Sequence, residues 1–161
     1  MTGDFKFDTL SLHAGYTPDP RHGSAAVPIH QTTSYEFQDT EHAAALFNLE
    51  VGGHIYSRIS NPTVAVLEQR VAALDGGIGA VATSSGMAAL FLTVPALCSA
   101  GDHIVSTSQM YGANANLVQH TVPPYGLATA SFSPLRSPAF SVAMSYNTKT
   151  LCAEVTVNTG M

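Results

Sequence analysis

Ala80-Val81-Ala82-Thr83-Ser84-Ser85-Gly86-Met87-Ala88-Ala89-Leu90-Phe91-Leu92 divides into a β-prone run, a turn of small polar residues and a helix-prone run. The pattern predicts a strand over 79–83 and a helix over 86–98. A strand-to-helix turn leaves the first N–H groups of the helix without intrahelical acceptors, at the positive end of its dipole. A phosphate or carboxylate is favoured there. Gly86 would let such an anion come close to the backbone. The competing reading is that Ser84 and Ser85 only cap a buried helix.

Upstream lies Tyr56-Ser57-Arg58-Ile59-Ser60-Asn61-Pro62-Thr63. Pro62 suits the first position of a helix, and Val64, Leu67, Val71 and Leu74 then recur at helical spacing until Gly76-Gly77. Tyr56 and Arg58, two apart in an extended segment, would point the same way and bring a phenol and a guanidinium to one anion. The alternative for Arg58, one of only four arginines, is a surface pairing with a carboxylate.

Downstream the pattern predicts a strand at 102–107, a helix at about 112–121, a strand near 127–132, a helix near 138–144 and a strand near 150–157. Pro123-Pro124 would cut the third of these helices short. Alternation of this kind predicts an α/β fold, with a largely parallel sheet, helices on both faces and ligands gathered at the carboxyl ends of the strands. Ser84 to Met87, Ser108 to Tyr111 and Asn158 all fall at such ends. Residues 1–60 read differently, as a turn-rich arm with one short helical pattern near 41–49. Apolar residues such as Ile29, Tyr35, Phe37 and Phe47 cannot all be buried within it, so the arm is expected to contact a neighbouring subunit. Residues 61–161 are expected to form the first part of the large domain. Its last strand, around Leu151 to Val155, should be unpaired on one side.

Composition narrows the functional classes. The chain has 161 residues, 45% apolar and 11% charged, enough for a substantial core. A net charge of −5 and six basic residues in all argue against nucleic-acid binding. No apolar run reaches the ~20 residues that span a bilayer, and the polar start Met1 to Lys6 does not resemble a secretory signal. The seven histidines show no metal-ligand spacing, so no metal is expected. Cys98 and Cys152 read as free thiols at buried positions, which favours a cytoplasmic location. Gly76-Gly77-Ile78-Gly79 ends a helix and precedes a strand, the reverse of the order in a dinucleotide loop.

These residues resemble a family. From about Asp8 to Met161 the chain is similar to the pyridoxal-phosphate enzymes of cysteine and methionine metabolism, the group of the cystathionine synthases and lyases, methionine lyase and the O-acetylhomoserine sulfhydrylases. Thr9 to Gly15, Ala26-Val27-Pro28-Ile29-His30-Gln31-Thr32-Thr33-Ser34-Tyr35 and Asp39 to Phe47 look most like the sulfhydrylases. Ala113 stands where methionine lyases typically place a cysteine.

The resemblance implies an aspartate-aminotransferase-like large domain of fold type I, pyridoxal 5'-phosphate as cofactor, and a homo-oligomer built as a dimer of dimers. It implies that Tyr56 and Arg58 reach the cofactor phosphate of a neighbouring subunit, and that the Gly86 and Met87 amides hold the phosphate. It also implies that Tyr111 stacks on the pyridine ring and that Asn158, in a Glu154…Asn158 strand end, donates to the cofactor's phenolic oxygen. Tyr56 and Tyr111 are the residues expected to take part in catalysis. The implied reaction is γ-replacement on O-acetylhomoserine by sulfide or a thiol. A γ-lyase relative and a catalytically inert truncated product are the alternatives. Neither lysine, Lys6 nor Lys149, matches the family's cofactor-bearing lysine, so these residues alone are expected to be inactive. The family pattern reads Asn-Pro where this chain has Asn158-Thr159.

Overall fold

The computed structural model describes residues 5–135 and 137–154. Contacts divide the chain into two compact units that meet in sequence at Ala82 and Thr83.

The first unit holds three helices, α1 (Phe7–His13), α2 (Thr40–Phe47) and α3 (Pro62–Asp75). The sequence pattern does not predict α1. It is only seven residues long, has no side-chain N-cap and buries nothing of its own, so it carries no periodic signal. Tertiary contact with α3 holds it instead. Just beyond it Ala14 is buried, and its carbonyl accepts from Arg70 Nε at 2.8 Å. Gly15 follows with φ of +76°, so tightly seated that an added Cβ would lie 2.7 Å from the Val66 carbonyl oxygen and 2.8 Å from Gln69 Cβ.

α2 starts where Asp39 accepts the His42 N–H at 2.7 Å. α3 is bounded as expected, with Asn61 as N-cap, Pro62 at its start and Gly76 in the left-handed region at its end. Its apolar stripe behaves otherwise. Val64, Leu67 and Val71 are exposed, because α3 meets the Ala14-Gly15 turn through Val66, Gln69 and Arg70 instead. In the arm, Ile29 and Phe47 are 77% and 63% exposed, while Tyr35 and Phe37 are half-buried.

The strand predicted over 79–83 is absent. A β-prone run becomes a strand only beside a partner, and no strand pairs with 79–83 among the described residues. The Ala82 N–H instead donates to Glu68 Oε1 at 2.8 Å, and Ile78 and Val81 face solvent.

The second unit is built on a parallel sheet of β1 (His103–Thr107), β2 (Ala128–Phe132) and β3 (Thr148–Cys152), in the order β2-β1-β3. Ile104 and Val105 point to opposite faces and both have no exposed surface, so the central strand is covered on both sides. One face packs on Val94 and Cys98 of the helix α4 (Gly86–Leu97) and its C-cap, and on Leu117, Val118, Val122 and Leu127. Among the described residues β3 pairs only with β1, as expected of an edge strand, and it ends at Cys152, short of the predicted range.

The helix predicted to begin near Gly112 starts as α5 (Gly112–Asn116) and widens into a π-turn at Leu117–Thr121, closed by the Val122 N–H on the Leu117 carbonyl at 2.9 Å. Pro123 and Pro124, which lack N–H donors, end it in a short 3-10 turn. α6 (Ser137–Ala143) completes the unit and sets Phe140 against Phe132 of β2, ring centroids 5.4 Å apart.

Both cysteines are free thiols, Cys98 buried and Cys152 half-buried. Burial, and secondarily the neighbouring Cys98, raises the Cys152 pKa above that of an ordinary thiol. The folded state therefore keeps the proton to higher pH than the unfolded chain. This contribution is intact below the ordinary thiol pKa and is lost as pH rises through the raised value. Thermal melts should show a fall in Tm through that alkaline window, and Cys152→Ala should flatten it. A Gly15→Ala substitution should cost about 1–3 kcal/mol in denaturant melts, from the positive φ and the Val66 contact together.

Candidate functional site

In the second unit two features lie close together, the start of α4 and the turn that follows β1. At the first of them Ser85 Oγ accepts the Ala88 N–H at 3.1 Å, the N-cap bond of the competing reading. That bond satisfies one of the first-turn donors and leaves the Gly86 and Met87 amides without an acceptor among the described residues. A Cβ added at Gly86 would meet nothing within 4 Å. Packing among the described residues therefore does not demand glycine there. Met87 packs its side chain against the apolar cluster, which anchors the turn.

The second feature is the turn before α5. Tyr111 is the N-cap of α5, offers no side-chain cap bond and is 54% exposed. Its backbone N–H donates to both carboxylate oxygens of Glu154 at 2.9 Å, and Asn114 Nδ2 donates to Glu154 Oε1 at 2.7 Å. Met87, Gly112, Ala113 and Asn116 line one open hollow, which brings α4 and α5 side by side. Asn158 lies outside the described residues.

In the first unit Tyr56 and Arg58 do converge, though not through an extended segment. Tyr56 forms an antiparallel bridge with Ser34, and the chain then turns, the Ile59 and Ser60 amides donating to the Tyr56 carbonyl at 2.8 and 3.0 Å. The turn folds the Arg58 guanidinium over the Tyr56 ring, 4.9 Å from its centroid. A helix cap decides this geometry. Asn61 accepts the Thr63 N–H to start α3 and donates through Nδ2 to the His30 carbonyl at 2.9 Å and to Ser57 Oγ at 3.0 Å. Ser57 Oγ in turn donates to the Thr32 carbonyl, and Tyr35 OH lies 3.2 Å from it. Thr63 Oγ1 donates to the Pro28 carbonyl and accepts from the His30 N–H, both at 2.9 Å.

Pro28 to Tyr35 is thus sewn to Tyr56 to Thr63 largely by side chains that sequence reading treated as capping or turn residues. Asn61, 8% exposed with its donors and acceptor used, was legible only as a helix start. The partnership of Glu154 with Asn114 and the Tyr111 amide had no local signal at all, because 40 or more residues separate them.

Residues 8–161 match the model of the Cys/Met metabolism PLP-dependent enzymes. The chain belongs to that family. It is 49% identical to the sulfhydrylase FUB7 of Fusarium oxysporum over 92% of its own length and 34% of that protein. With the O-acetyl-L-homoserine sulfhydrylase of Leptospira meyeri it shares 44% identity over 98% of its length and 36% of the relative. The chain spans about a third of the length of these relatives.

Among solved structures, a putative O-acetylhomoserine (thiol)-lyase from Campylobacter jejuni superposes with a TM-score of 0.87 at 38% identity, covering 92% of this chain and 36% of that one. That structure holds a pyridoxyl-lysine phosphate. A cystathionine gamma-lyase from Lactobacillus plantarum superposes with a TM-score of 0.84 at 27% identity, covering 96% and 38%. The fold is accordingly that of the family's PLP-dependent enzymes, represented here by an open sheet of three parallel strands among the described residues.

The residues present fit the family's cofactor. Two amides at a helix start with no acceptor among the described residues suit a phosphate, and an exposed tyrosine at the neighbouring helix start suits a planar heterocycle.

Replacing Asn61 by alanine removes the α3 cap together with the bonds to the His30 carbonyl and Ser57 Oγ, so stability should drop by about 2 kcal/mol in urea titrations. Thr63→Ala, which breaks the neighbouring stitch to Pro28 but leaves the cap, should cost less, about 1 kcal/mol.

Proposed function

We propose that this chain provides the phosphate-binding and ring-stacking part of a PLP-dependent O-acetylhomoserine sulfhydrylase, which replaces the γ-acetoxy group of O-acetyl-L-homoserine with sulfide or a thiol to give homocysteine or methionine. The observation that carries the reading is the start of α4, where the Gly86 and Met87 amides have no acceptor among the described residues and packing does not require the glycine. Identity of 44–49% to sulfhydrylases supports the choice within the family. When bound, the cofactor supplies the electron sink for carbanion chemistry on the amino acid.

The roles of the chain's own residues follow from their chemistry. The Gly86 and Met87 amides hold the phosphate, with the α4 dipole favouring its charge. Tyr111 covers one face of the ring and keeps water from it. Arg58 and the Tyr56 hydroxyl serve the phosphate of a neighbouring subunit's cofactor, Arg58 as a fixed cation and Tyr56 as a donor that also lies near the reacting amino acid. This assigns 1–60 as an arm packed on a partner in a homotetramer, covering the apolar residues that stand exposed on it, Ile29 and Phe47 among them. Asn158 is assigned to the cofactor's phenolic oxygen. No helix among the described residues is long and apolar enough to cross a membrane, and we place the enzyme in the cytoplasm.

Two measurements test the reading. Titrating the chain with pyridoxal phosphate should shift the Gly86 and Met87 amide resonances saturably. Gly86→Val should weaken that binding at least about tenfold while the protein stays folded, since the site is open. Unmoved amides would refute the phosphate site.

Residues 8–154 should then replace the matching segment of the Leptospira meyeri sulfhydrylase and, separately, of the Lactobacillus plantarum lyase. The sulfhydrylase chimera should form homocysteine from O-acetylhomoserine and sulfide within about tenfold of its parent. Arg58→Ala in it should lower turnover by about a hundredfold or more. The lyase chimera should lose more of its parent's activity. The opposite order would move the chain to the lyase branch.

A further inference from the structure

Glu154 lies two residues beyond the end of β3 and holds the turn that presents Tyr111. The ring has little else to hold it. Tyr111 is 54% exposed, and its side chain caps nothing. The helix it precedes begins with five residues that bury nothing of their own, and its core anchors, Leu117 and Val118, come only in the π-turn that follows. Among the described residues, the one side-chain acceptor at this helix start comes from 43 positions away, and it is a carboxylate. Both of its oxygens accept from the Tyr111 N–H, and Oε1 accepts from Asn114 one turn on, so Tyr111 and Asn114 are gripped by a single group. Charge-assisted bonds of this kind are about twice as strong as neutral ones, and the positive end of α5 adds to them.

We infer that Glu154 is a positioning residue for Tyr111, fixing the tyrosine backbone so that its ring meets the bound heterocycle at one tilt. The inference rests on the reading of this chain as a pyridoxal-phosphate binder. It adds a second consequence. Because Glu154 already neutralises the start of α5, the start of α4 is left as the open anion seat at this end of the sheet, which sets where the phosphate goes and hence which way the ring points.

A merely structural pin would stabilise the unit without favouring Tyr111, and a double-mutant cycle separates the two roles. Pyridoxal phosphate affinity is measured for the wild-type protein, Glu154→Gln, Tyr111→Ala and the double variant. Glu154→Gln keeps an acceptor oxygen but loses the charge, and it should weaken binding about tenfold in the Tyr111 background and less than about twofold in the Tyr111→Ala background. Equal weakening in both backgrounds would overturn the inference.

Amide hydrogen exchange supplies an independent readout that needs no cofactor. In Glu154→Gln the Tyr111 amide should exchange at least about tenfold faster while Ile104 and Val105 keep their wild-type protection. Unchanged exchange at Tyr111 would sink the proposal, and Glu154→Asp, which retains the charge on a shorter arm, serves the same comparison if Glu154→Gln fails to fold. Should the wild-type protein bind no pyridoxal phosphate, the proposed function falls and the exchange result alone decides the role of Glu154.

Discussion

The second unit depends on burying β1 between two parallel neighbours. Ile104 and Val105 give that strand an apolar residue on each face, and Ser106 is accommodated by the Ser131 hydroxyl 3.0 Å away. His103 is likewise satisfied, its Nδ1 lying 2.8 Å from Thr148 Oγ1. With β2 and β3 parallel to it, all three strands deliver their carboxyl ends to one edge. The turn before α5 and the Glu154 carboxylate collect there for that reason, and α4 joins them because its inner face belongs to the same apolar cluster.

The first unit rests on a different device. Its helices are short and its buried apolar residues few, Ala14, Leu46 and Ala72 among them. Polar stitching does much of the work that packing does in the sheet. Asn61 joins a helix cap to two neighbouring segments, and the Tyr56-Arg58 turn inherits its shape from that knot. A guanidinium lying on a phenol ring keeps its hydrogen-bond donors at the ring's edge and available to an anion.

Sequence reading went furthest where the physics is local. The capped start of α4, the Asn-Pro start and glycine end of α3, and the proline stop after the π-turn follow from residues within a few positions of one another. The strand order is not local, and alternation of strands and helices suggested only that the sheet would be parallel. Errors arose where partners decide the outcome: 79–83 has the composition of a strand and no neighbour to pair with, while α1 has no pattern and a helix to lean on. The same holds for the site. Gly86 was singled out by its place in a predicted strand-to-helix turn and Tyr111 by resemblance alone, whereas the contacts of Glu154 and Asn61 come from segments 31 to 43 residues away.

That separation also sets an order of assembly. The Tyr111 turn cannot take its final form until β3 has docked beside β1 and brought Glu154 with it, so a long loop must close first. As the chain leaves the ribosome, the start of α4 can be complete while the turn before α5 is still loose. The start of α4 matures early and the Tyr111 turn late, so that on the proposed function a heterocycle arriving between those moments would find a grip for its phosphate and no surface for its ring.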